Sequence, residues 1–189
     1  METKKVAVIG GGAAGFFAAI SVKENHPSHQ VTLFEKTSKV LSKVRISGGG
    51  RCNVTHDCSD IPTLCEAYPR GGKKLKSLFY QFSKSDTVDW FESRGVPLKT
   101  EKDGRMFPKS NNSQSIIDCL ESEIARLRVT LKLGQTIERI DEDGIGWKLN
   151  FKDQPYQKFD MVIIATGGSP KITGFDWLKN LGHNIIPPV

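Results

Sequence analysis

The sequence has few cysteines, no CxxC pair and no long apolar run, and each absence excludes a class of protein. Its four cysteines, Cys52, Cys58, Cys65 and Cys119, are spread over 189 residues. That density is too low for a disulfide scaffold, so we expect a reducing, cytoplasmic compartment. No stretch approaches the ~18–20 consecutive apolar residues of a membrane span. Internal repeats and low-complexity segments are also absent, which argues against solenoid and fibrous architectures.

What the chain does contain is enough apolar material for a core and a moderate excess of positive charge. Hydrophobic residues make up 38% of the chain, and 18 glycines add to them. This approaches the roughly 45–50% apolar share of ordinary globular proteins, so disorder is excluded as the main interpretation. The net charge of +6 suits either nucleic acid or a phosphate-bearing cofactor.

A cluster of basic residues at Arg70, Lys73, Lys74 and Lys76 offers one place for a nucleic-acid contact. No aromatic residue is interleaved with it, and stacking on aromatic rings is what single-stranded nucleic acids require. A solvated helix start is therefore the favoured interpretation, and a nucleic-acid partner is disfavoured.

The beginning of the chain predicts a strand–helix–strand unit. Val6–Ile9 is a short apolar run that ends in glycine, which is typical of a buried parallel strand. A helix is predicted over Ala13–Lys23, and Pro27 cannot continue it. Val31–Glu35 is the second β-rich run, and the three segments together have the size of a right-handed crossover.

The rest of the chain predicts a long loop, further helices and more strands. Lys36–Pro69 is expected to be irregular, and a loop of that size in a compact domain is usually functional. Helices are predicted at Gly72–Phe82, at Asp86–Ser93 with a start signal at Ser85, at Ser113–Leu127 and around Phe175–Leu181. Strands are predicted at Val96–Thr100, Arg105–Phe107, Val129–Leu133, Thr136–Asp141, Gly146–Phe151, Lys158–Asp160 and Met161–Ala165. The expected fold class is α/β and Rossmann-like, with a central parallel sheet and an antiparallel β-meander.

The strongest motif is the glycine pattern between the first strand and the first helix. Gly10, Gly12 and Gly15 match G-x-G-x-x-G in the strand–turn–helix context that gives the pattern its meaning. Gly10 permits the tight turn, Gly12 lets the backbone approach a pyrophosphate, and Gly15 lets the helix pack on the strand. The alternative is a glycine-rich turn without a ligand.

Glu35 ends the second strand, twenty residues after Gly15. A carboxylate at this position accepts hydrogen bonds from ribose hydroxyls and repels a 2′-phosphate. The bound dinucleotide is therefore expected to be FAD or NAD and not NADP, unless Glu35 is an ordinary surface residue.

Three further segments resemble one bacterial family of flavoproteins. Lys43–Thr55 contains the sequence SGGGRCN, Gly104–Pro108 reads GRMFP, and Gly182–Ile185 precedes Pro187 and Pro188. Together with Thr166-Gly167-Gly168 after the last apolar strand, they resemble the BaiN-type or aminoacetone-oxidase-type NAD(P)/FAD-dependent oxidoreductases. These belong to the glutathione-reductase-like flavoproteins with two dinucleotide folds.

That resemblance implies a set of FAD-binding positions. It places the pyrophosphate against the glycine turn and the second strand end, the ribose at the end of the second strand, the adenine at the meander, and the flavin side at the SGGGRCN loop. The implied residues are Gly10, Gly12, Ala13, Ala14, Gly15, Glu35, Lys36, Ser47, Gly48, Gly49, Arg51, Cys52, Asn53, Ile137, Thr166 and Gly167. Arg51 would supply positive charge against a phosphate or the reduced flavin.

The resemblance also implies the activity, an oxidoreductase in which FAD passes hydride between NAD(P)H or a small-molecule substrate and an acceptor. Family members are considerably longer than this chain. Residues 1–189 are therefore expected to be the N-terminal part of a FAD-binding domain, without the substrate domain and the C-terminal return segment, and inactive alone. A non-catalytic dinucleotide-binding module and an RNA-modifying flavoprotein remain the alternatives. The substrate and the oligomeric state are not predicted.

Several reactive residues keep more than one interpretation. Cys52 is expected to be a buried packing residue, with a redox pair to Cys58 as the alternative. The group of Cys52, His56, Cys58 and Cys65 has metal-binding residue types but not the usual ligand spacing, so no metal is expected. Neither His56 nor His183 has an identifiable catalytic partner in the sequence, so no catalytic residue is assigned.

Overall fold

The structure is a computed structural model that describes residues 2–169 and 172–186, with the side chains of residues 172 and 173 left undescribed. Pro187 and Pro188 of the predicted family motif lie outside the described residues. The chain forms two compact units. Unit 1 comprises Met1–Ser42 and Glu121–Val189, and unit 2 comprises Lys43–Leu120. Each unit is described by itself.

The described residues form ten strands, seven helices and one 3₁₀ turn. In chain order they are β1 (Lys5–Ile9), α1 (Ala13–Asn25), β2 (Gln30–Phe34), α2 (Ser42–Gly50), β3 (Thr55–His56), α3 (Ile61–Glu66), α4 (Gly72–Phe79), α5 (Lys84–Glu92), β4 (Leu98–Thr100), β5 (Arg105–Pro108), α6 (Gln114–Arg126), β6 (Thr130–Lys132), β7 (Ile137–Asp143), β8 (Gly146–Phe151), β9 (Gln157–Phe159), β10 (Met161–Ile164), a 3₁₀ turn (Ile172–Phe175) and α7 (Asp176–Asn180). The division has two boundaries along the chain, one after Ser42 at the start of α2 and one after Leu120 inside α6.

Unit 1 is built on a four-stranded parallel sheet with the order β10-β1-β2-β6. The central strand β1 pairs with β10 on one side and with β2 on the other, with Val8 opposite both Ile163 and Leu33. Val8 and Leu33 are fully buried, which is why the strand reads as a continuous apolar run. All four strands point the same way, so their carboxyl ends meet at one edge of the sheet.

The two faces of this sheet are covered by different elements. Helix α1 contacts β1, β2 and β10 and buries Phe16, Ala19 and Ile20. Strands β7, β8 and β9 form the antiparallel meander, whose apolar side packs on Ile9 and Phe34. The ring of Phe34 lies 5.3 Å from that of Phe151 and 5.7 Å from that of Phe159. These aromatic pairs add about 0.5–1.5 kcal/mol each beyond the burial of their area. The predicted Rossmann-like α/β class with a parallel sheet and a meander is confirmed.

Unit 2 contains a three-stranded antiparallel sheet with the order β3-β5-β4 and the helices α3, α4 and α5. The turn at Lys102-Asp103-Gly104 joins β4 to β5, and Gly104 has φ +81° there. Phe107 of β5 is fully buried.

Two predictions about secondary structure were wrong. The stretch Lys36–Pro69 is not an irregular loop, because it contains α2, β3 and α3. These elements are short, and α2 is interrupted at Ser47 (ψ 149°) before two glycines, so they carry little periodic signal. Helix α5 begins after Ser83 rather than Ser85. The Ser83 hydroxyl accepts a hydrogen bond from the main-chain N–H of Asp86, and the Asp86 carboxylate accepts one from the main-chain N–H of Ser83. The two bonds form a capping box.

Candidate functional site

A cavity of about 330 Å³ lies in unit 1 at the carboxyl ends of β1, β2 and β10. Open parallel sheets bind ligands at this edge, where loops leave the strands in different directions. Six of the sequence-predicted residues line the cavity, namely Gly10, Glu35, Lys36, Ile137, Thr166 and Gly167. These six come from four separate chain segments, and the sheet topology brings them together.

The glycine turn after β1 is shaped by close backbone approaches. Gly10 has φ +117°, and a Cβ there would overlap the carbonyl group of Ala165 at the end of β10. A Cβ on Gly15 would overlap the carbonyl oxygen of Gly10. Side chains at Gly10 and Gly15 would therefore separate the strand, the turn and the helix, which confirms the geometric roles that the motif predicts for these two residues.

Gly12 differs from its two neighbours in the motif because a Cβ there would meet nothing within 4 Å. It occupies the N-cap of α1 in an extended conformation, without a side-chain hydrogen bond to the helix. Ala13 and Ala14 follow it and are exposed. The start of α1 thus presents main-chain N–H groups and the positive end of the helix dipole, with open space in front, as an anion requires.

The carboxylate of Glu35 is held by the chain itself. Its Oε2 accepts the N–H of Gly11 at 2.8 Å, and its Oε1 accepts the N–H and the hydroxyl of Thr37 at 2.8 and 2.9 Å. A carboxylate offers about four acceptor positions, so Oε2 keeps capacity for a further donor from the cavity. Gly11 and Thr37 are functional neighbours that the sequence did not single out. A Cβ on Gly11 would come within 2.9 Å of Glu35 Cβ.

Gln135 is a further residue that the sequence did not identify, and it lines the same cavity. Its main-chain N–H donates to the carbonyl of Glu35 at 2.9 Å, and its side-chain amide donates to the carbonyl of Leu133 at 3.2 Å. Its Oε1 is buried and has no hydrogen-bond partner among the described residues. A buried acceptor without a donor costs about 1–3 kcal/mol, so this atom marks a place for a donor.

The other predicted site residues, Ser47 to Asn53, lie in unit 2 and form a compact turn. Gly48 and Gly49 have φ +56° and +68°. The N–H of Cys52 donates to the carbonyl of Ser47 at 3.0 Å, and the Asn53 carboxamide oxygen accepts the N–H of Met106 at 3.2 Å. Gly49 is exposed, and a Cβ there would meet nothing within 4 Å.

Arg51 has partners within unit 2 itself. One guanidinium nitrogen lies 2.5 Å from the Glu101 carboxylate, its Nε donates to the carbonyl of Gly48 at 3.3 Å, and its guanidinium carbon lies 4.0 Å from the centre of the Phe107 ring. These contacts hold the turn from Ser47 to Asn53 against β5. Because Glu101 is paired with Arg51, it balances a large part of the positive charge of that guanidinium.

Cys52 is buried, with 8% of its surface exposed. Burial raises the pKa of its thiol, and a hydrogen bond with Ser47 only partly opposes that. A raised thiol pKa disfavours the thiolate needed for redox chemistry, so the environment of Cys52 supports the packing interpretation. In the described part of the chain, no group of three or more His, Cys, Asp or Glu residues could hold a metal ion. Over the same residues, no helix is long and apolar enough to cross a bilayer.

Comparison with curated proteins finds relatives among bacterial enzymes. The chain is 27% identical over 191 residues to 3-dehydro-bile acid delta(4,6)-reductase of Clostridium scindens, covering 98% of the chain and 46% of that protein. It is 27% identical over 195 residues to ribosomal RNA dihydrouridine synthase of Escherichia coli, covering 99% and 46%. It is also 28% identical over 199 residues to fumarate reductase (cytochrome) of Shewanella frigidimarina, covering 90% and 34%. The chain therefore spans about half the length, or less, of these relatives.

Solved structures share the fold at lower identity. An open conformation of a flavocytochrome c3 fumarate reductase superposes with a TM-score of 0.63 at 23% identity, covering 88% of this chain and 34% of that one. THI4 of Thermovibrio ammonificans gives a TM-score of 0.58 at 15% identity, covering 94% and 62%. A family model described as the HI0933-like protein Rossmann domain matches residues 4–188. With nearly the whole chain matched, this protein belongs to the HI0933-like Rossmann-domain family.

Proposed function

We propose that the protein is a FAD-dependent oxidoreductase and that residues 1–189 supply its FAD-binding part. The observation that carries this proposal is the cavity at the carboxyl edge of the parallel sheet, where a glycine turn, an acidic strand end and a second glycine-containing strand end converge. The family membership and the reductases among the relatives support it. Under this proposal, the substrate domain and the return segment of the FAD-binding domain lie outside residues 1–189.

The pyrophosphate of FAD would lie against the start of α1. Gly12 leaves open space there, and the N–H groups of the first helical turn have no side-chain cap from Gly12. Thr166 and Gly167 face the same cavity from the end of β10. Each helix-end charge interaction is worth about 0.3–1 kcal/mol at an exposed site, so main-chain hydrogen bonds would supply most of the affinity for this group.

The adenosine half would lie beside Glu35. Its ribose hydroxyls would donate to the remaining acceptor position on Oε2, and Lys36 and Ile137 also line this cavity. Gln135 lines the same cavity, and its Oε1 is an unpaired acceptor for which the exocyclic amine of adenine is a matching donor. The described residues thus fit an adenine dinucleotide in both hydrogen bonding and charge.

The flavin end is assigned to the turn from Ser47 to Asn53, again as a proposal. Gly49 is exposed and has open space where a Cβ would lie, which leaves main-chain groups available for close approach. Arg51 holds that turn in shape through Glu101 and Phe107. When bound, FAD would supply hydride transfer, and the chain would contribute binding, orientation and electrostatics.

We further propose that NAD(P)H is the reductant and that the substrate is a small molecule. We also propose that the protein is cytoplasmic and that, within the family, it is one of the BaiN-type members. The low cysteine content, four in 189 residues, supports a reducing compartment. No group in the cavity is assigned a catalytic role.

The test is reconstitution of the purified chain with FAD, followed by the visible absorbance spectrum and the bound stoichiometry after gel filtration. We expect near-equimolar yellow protein, and competition by ADP but not by FMN, because the cavity in unit 1 matches the ADP half. A colourless protein that instead binds NAD would contradict the FAD assignment.

A second candidate, an RNA-modifying flavoprotein, rests on exposed basic and aromatic residues of unit 2. Tyr68 and Tyr80 flank the basic cluster and are 42% and 66% exposed, with Lys73 and Lys74 exposed between them on α4. Exposed aromatic side chains therefore stand before and after the basic segment along the chain. A relative in Escherichia coli is a ribosomal RNA dihydrouridine synthase.

For this candidate we expect retention of single-stranded RNA at about 50 mM salt with a steep loss as salt rises. A double variant, Lys73→Gln with Lys74→Gln, is expected to reduce the salt slope. The double variant Lys148→Gln with Lys152→Gln, in and directly after β8, removes the same number of charges and serves as the control. Absence of salt-sensitive binding in the unaltered chain would exclude this candidate.

A further inference from the structure

A histidine and a cysteine of unit 2 are in contact next to the small antiparallel sheet. Nδ1 of His56 lies 3.3 Å from Sγ of Cys58, and Nε2 of the same ring lies 3.0 Å from the main-chain carbonyl oxygen of Asp103. A carbonyl oxygen can only accept, so Nε2 must carry the ring proton. Nδ1 is then left with its lone pair, and the Cys58 thiol donates to it.

The ring of His56 is fixed in place by the main chain. A Cβ on Gly104 would lie 2.5 Å from Cε1 and 2.8 Å from Nε2 of the imidazole, so the ring packs directly on the glycine backbone. His56 is paired with Arg105 in the sheet, and the N–H of Asp57 donates to the carbonyl of Gly104 at 2.7 Å. The Nδ1 direction is therefore set by the fold and not by a freely rotating side chain.

The neighbouring charged groups are already paired with each other. The carboxylate of Asp57 lies 2.6 Å from the ammonium group of Lys84. The carboxylate of Asp103 accepts from the Arg105 guanidinium at 2.8 Å. Both acids next to the histidine thus have cationic partners, which leaves the Cys58 thiol as the partner of Nδ1.

The other three cysteines lie in environments that differ from that of Cys58, so the reactivities of the thiols can be compared within one molecule. Cys52 and Cys119 are buried. Cys65 shares the intermediate burial of Cys58, but it lies on α3. The hydrogen bond of the His56 ring to a thiol goes to Cys58 and not to Cys65. Cys65 therefore reports the reactivity that partial exposure alone confers.

We propose that Cys58 is a nucleophilic thiol with His56 as its general base, and that it is a site of modification by low-molecular-weight disulfides. The Cys58 sulfur attacks one sulfur of the disulfide while its proton passes to Nδ1 of His56. A new sulfur–sulfur bond to Cys58 forms, the original disulfide bond breaks, and the departing thiolate takes the proton back from the imidazolium. The products are a mixed disulfide on Cys58 and one free thiol. This proposal does not depend on the function proposed above.

The experiment treats the native 189-residue chain with 5,5′-dithiobis(2-nitrobenzoate) at neutral pH and locates the adducts over time by peptide mass mapping. We expect Cys58 to react at least about tenfold faster than Cys65. His56→Asn and His56→Gln should lower the rate at Cys58 towards that of Cys65 and leave the rate at Cys65 unchanged.

The reaction rate of Cys65 distinguishes a general-base role of His56 from a structural one, because loosening of the fold would accelerate the reaction of both thiols. Equal rates at Cys58 and Cys65 in the unaltered chain would overturn the proposal whatever the variants do. An unchanged Cys58 rate in both folded histidine variants would overturn it as well. Cys58→Ser should abolish the fast phase while preserving the circular dichroism spectrum.

Discussion

At the residue scale, the glycines of one motif perform separable tasks. Gly15 is required by the fold, because a side chain there would overlap the carbonyl oxygen of Gly10. Gly12 is not required by the fold, because its Cβ direction is empty and its φ of −92° suits any residue. The empty direction in front of Gly12 is the place that we assign to the pyrophosphate.

This difference predicts opposite phenotypes for two single substitutions. Gly12→Ser should change the free energy of unfolding by no more than about 0.5 kcal/mol, since serine is also a good N-cap residue. It should weaken FAD binding at least about tenfold, or about 1.4 kcal/mol, by filling the space and occupying helix N–H groups. Gly15→Ala should instead destabilise the fold by about 1–3 kcal/mol through overpacking. Urea unfolding and FAD fluorescence titration measure the two effects. Unimpaired FAD binding by the Gly12→Ser variant would remove the pyrophosphate from this position.

Glu35 and Arg51 show why the role of a charged residue depends on its neighbours. The sequence predicts a carboxylate for the ribose and a guanidinium for phosphate or flavin. In the structure, the Glu35 carboxylate accepts the N–H of Gly11 in the turn after β1 and keeps a further acceptor position. Arg51 is paired with Glu101. Glu35 therefore serves both the fold and the proposed ligand, and Arg51 chiefly positions the turn that contains Gly48.

At the element scale, short elements are fixed by specific hydrogen bonds more than by periodicity. Helix α5 begins with a reciprocal capping box between Ser83 and Asp86, and α3 begins with Asp60, whose carboxylate accepts the N–H of Thr63 at 2.8 Å. Hydrogen bonds from the hydroxyl and then the N–H of Ser83 lower the pKa of Asp86 below its ordinary value of 3.8. Such bonds stabilise the ionised form of the carboxylate.

The lowered pKa of Asp86 predicts a pH dependence of stability with a definite sign. Because the pKa of Asp86 is lower in the folded chain, ionised Asp86 stabilises the fold fully at a pH above its unfolded-state pKa. That stabilisation is lost as the pH falls through the folded-state pKa. Asp86→Asn should therefore lower the urea midpoint at pH 7, and the difference from the unaltered chain should shrink towards pH 3. Asp89→Asn, on the same helix but outside the capping box, is the control. A difference that stays constant with pH would show that ionised Asp86 does not stabilise α5.

At the scale of the whole molecule, the chain divides its predicted FAD contacts between two units. Unit 1 contains Gly10, Glu35, Ile137 and Thr166 around one cavity. Unit 2 contains the turn from Ser47 to Asn53. Partial ligands can therefore test the two sets of contacts separately.

Hydrogen exchange with two ligands provides that test. We expect saturating ADP to protect the amides of residues 10–15 and 35–37 in unit 1, because ligand binding to the folded state suppresses local opening. Saturating FAD should protect the same amides and, in addition, residues 47–53. FMN alone serves as the control for the flavin without the adenosine half. Protection by FAD that is confined to unit 1 would show that the SGGGRCN turn does not contact the cofactor.

The sequence by itself determined those features that depend on local spacing. The strand–turn–helix glycine motif, the apolar runs of β1 and β10, the amphipathic α6 and the bounds of β8 could all be predicted, because backbone geometry and the burial of one face leave a periodic pattern. The tertiary structure decided which distant residues meet. Gln135 reaches the cavity only because β6 pairs with β2. Arg51 meets Glu101 because β4 and β5 lie beside the turn from Ser47 to Asn53. His56 gains its orientation from its packing on Gly104. Such contacts join residues whose separation along the chain carries no repeating signal, so only the folded sheets bring them together.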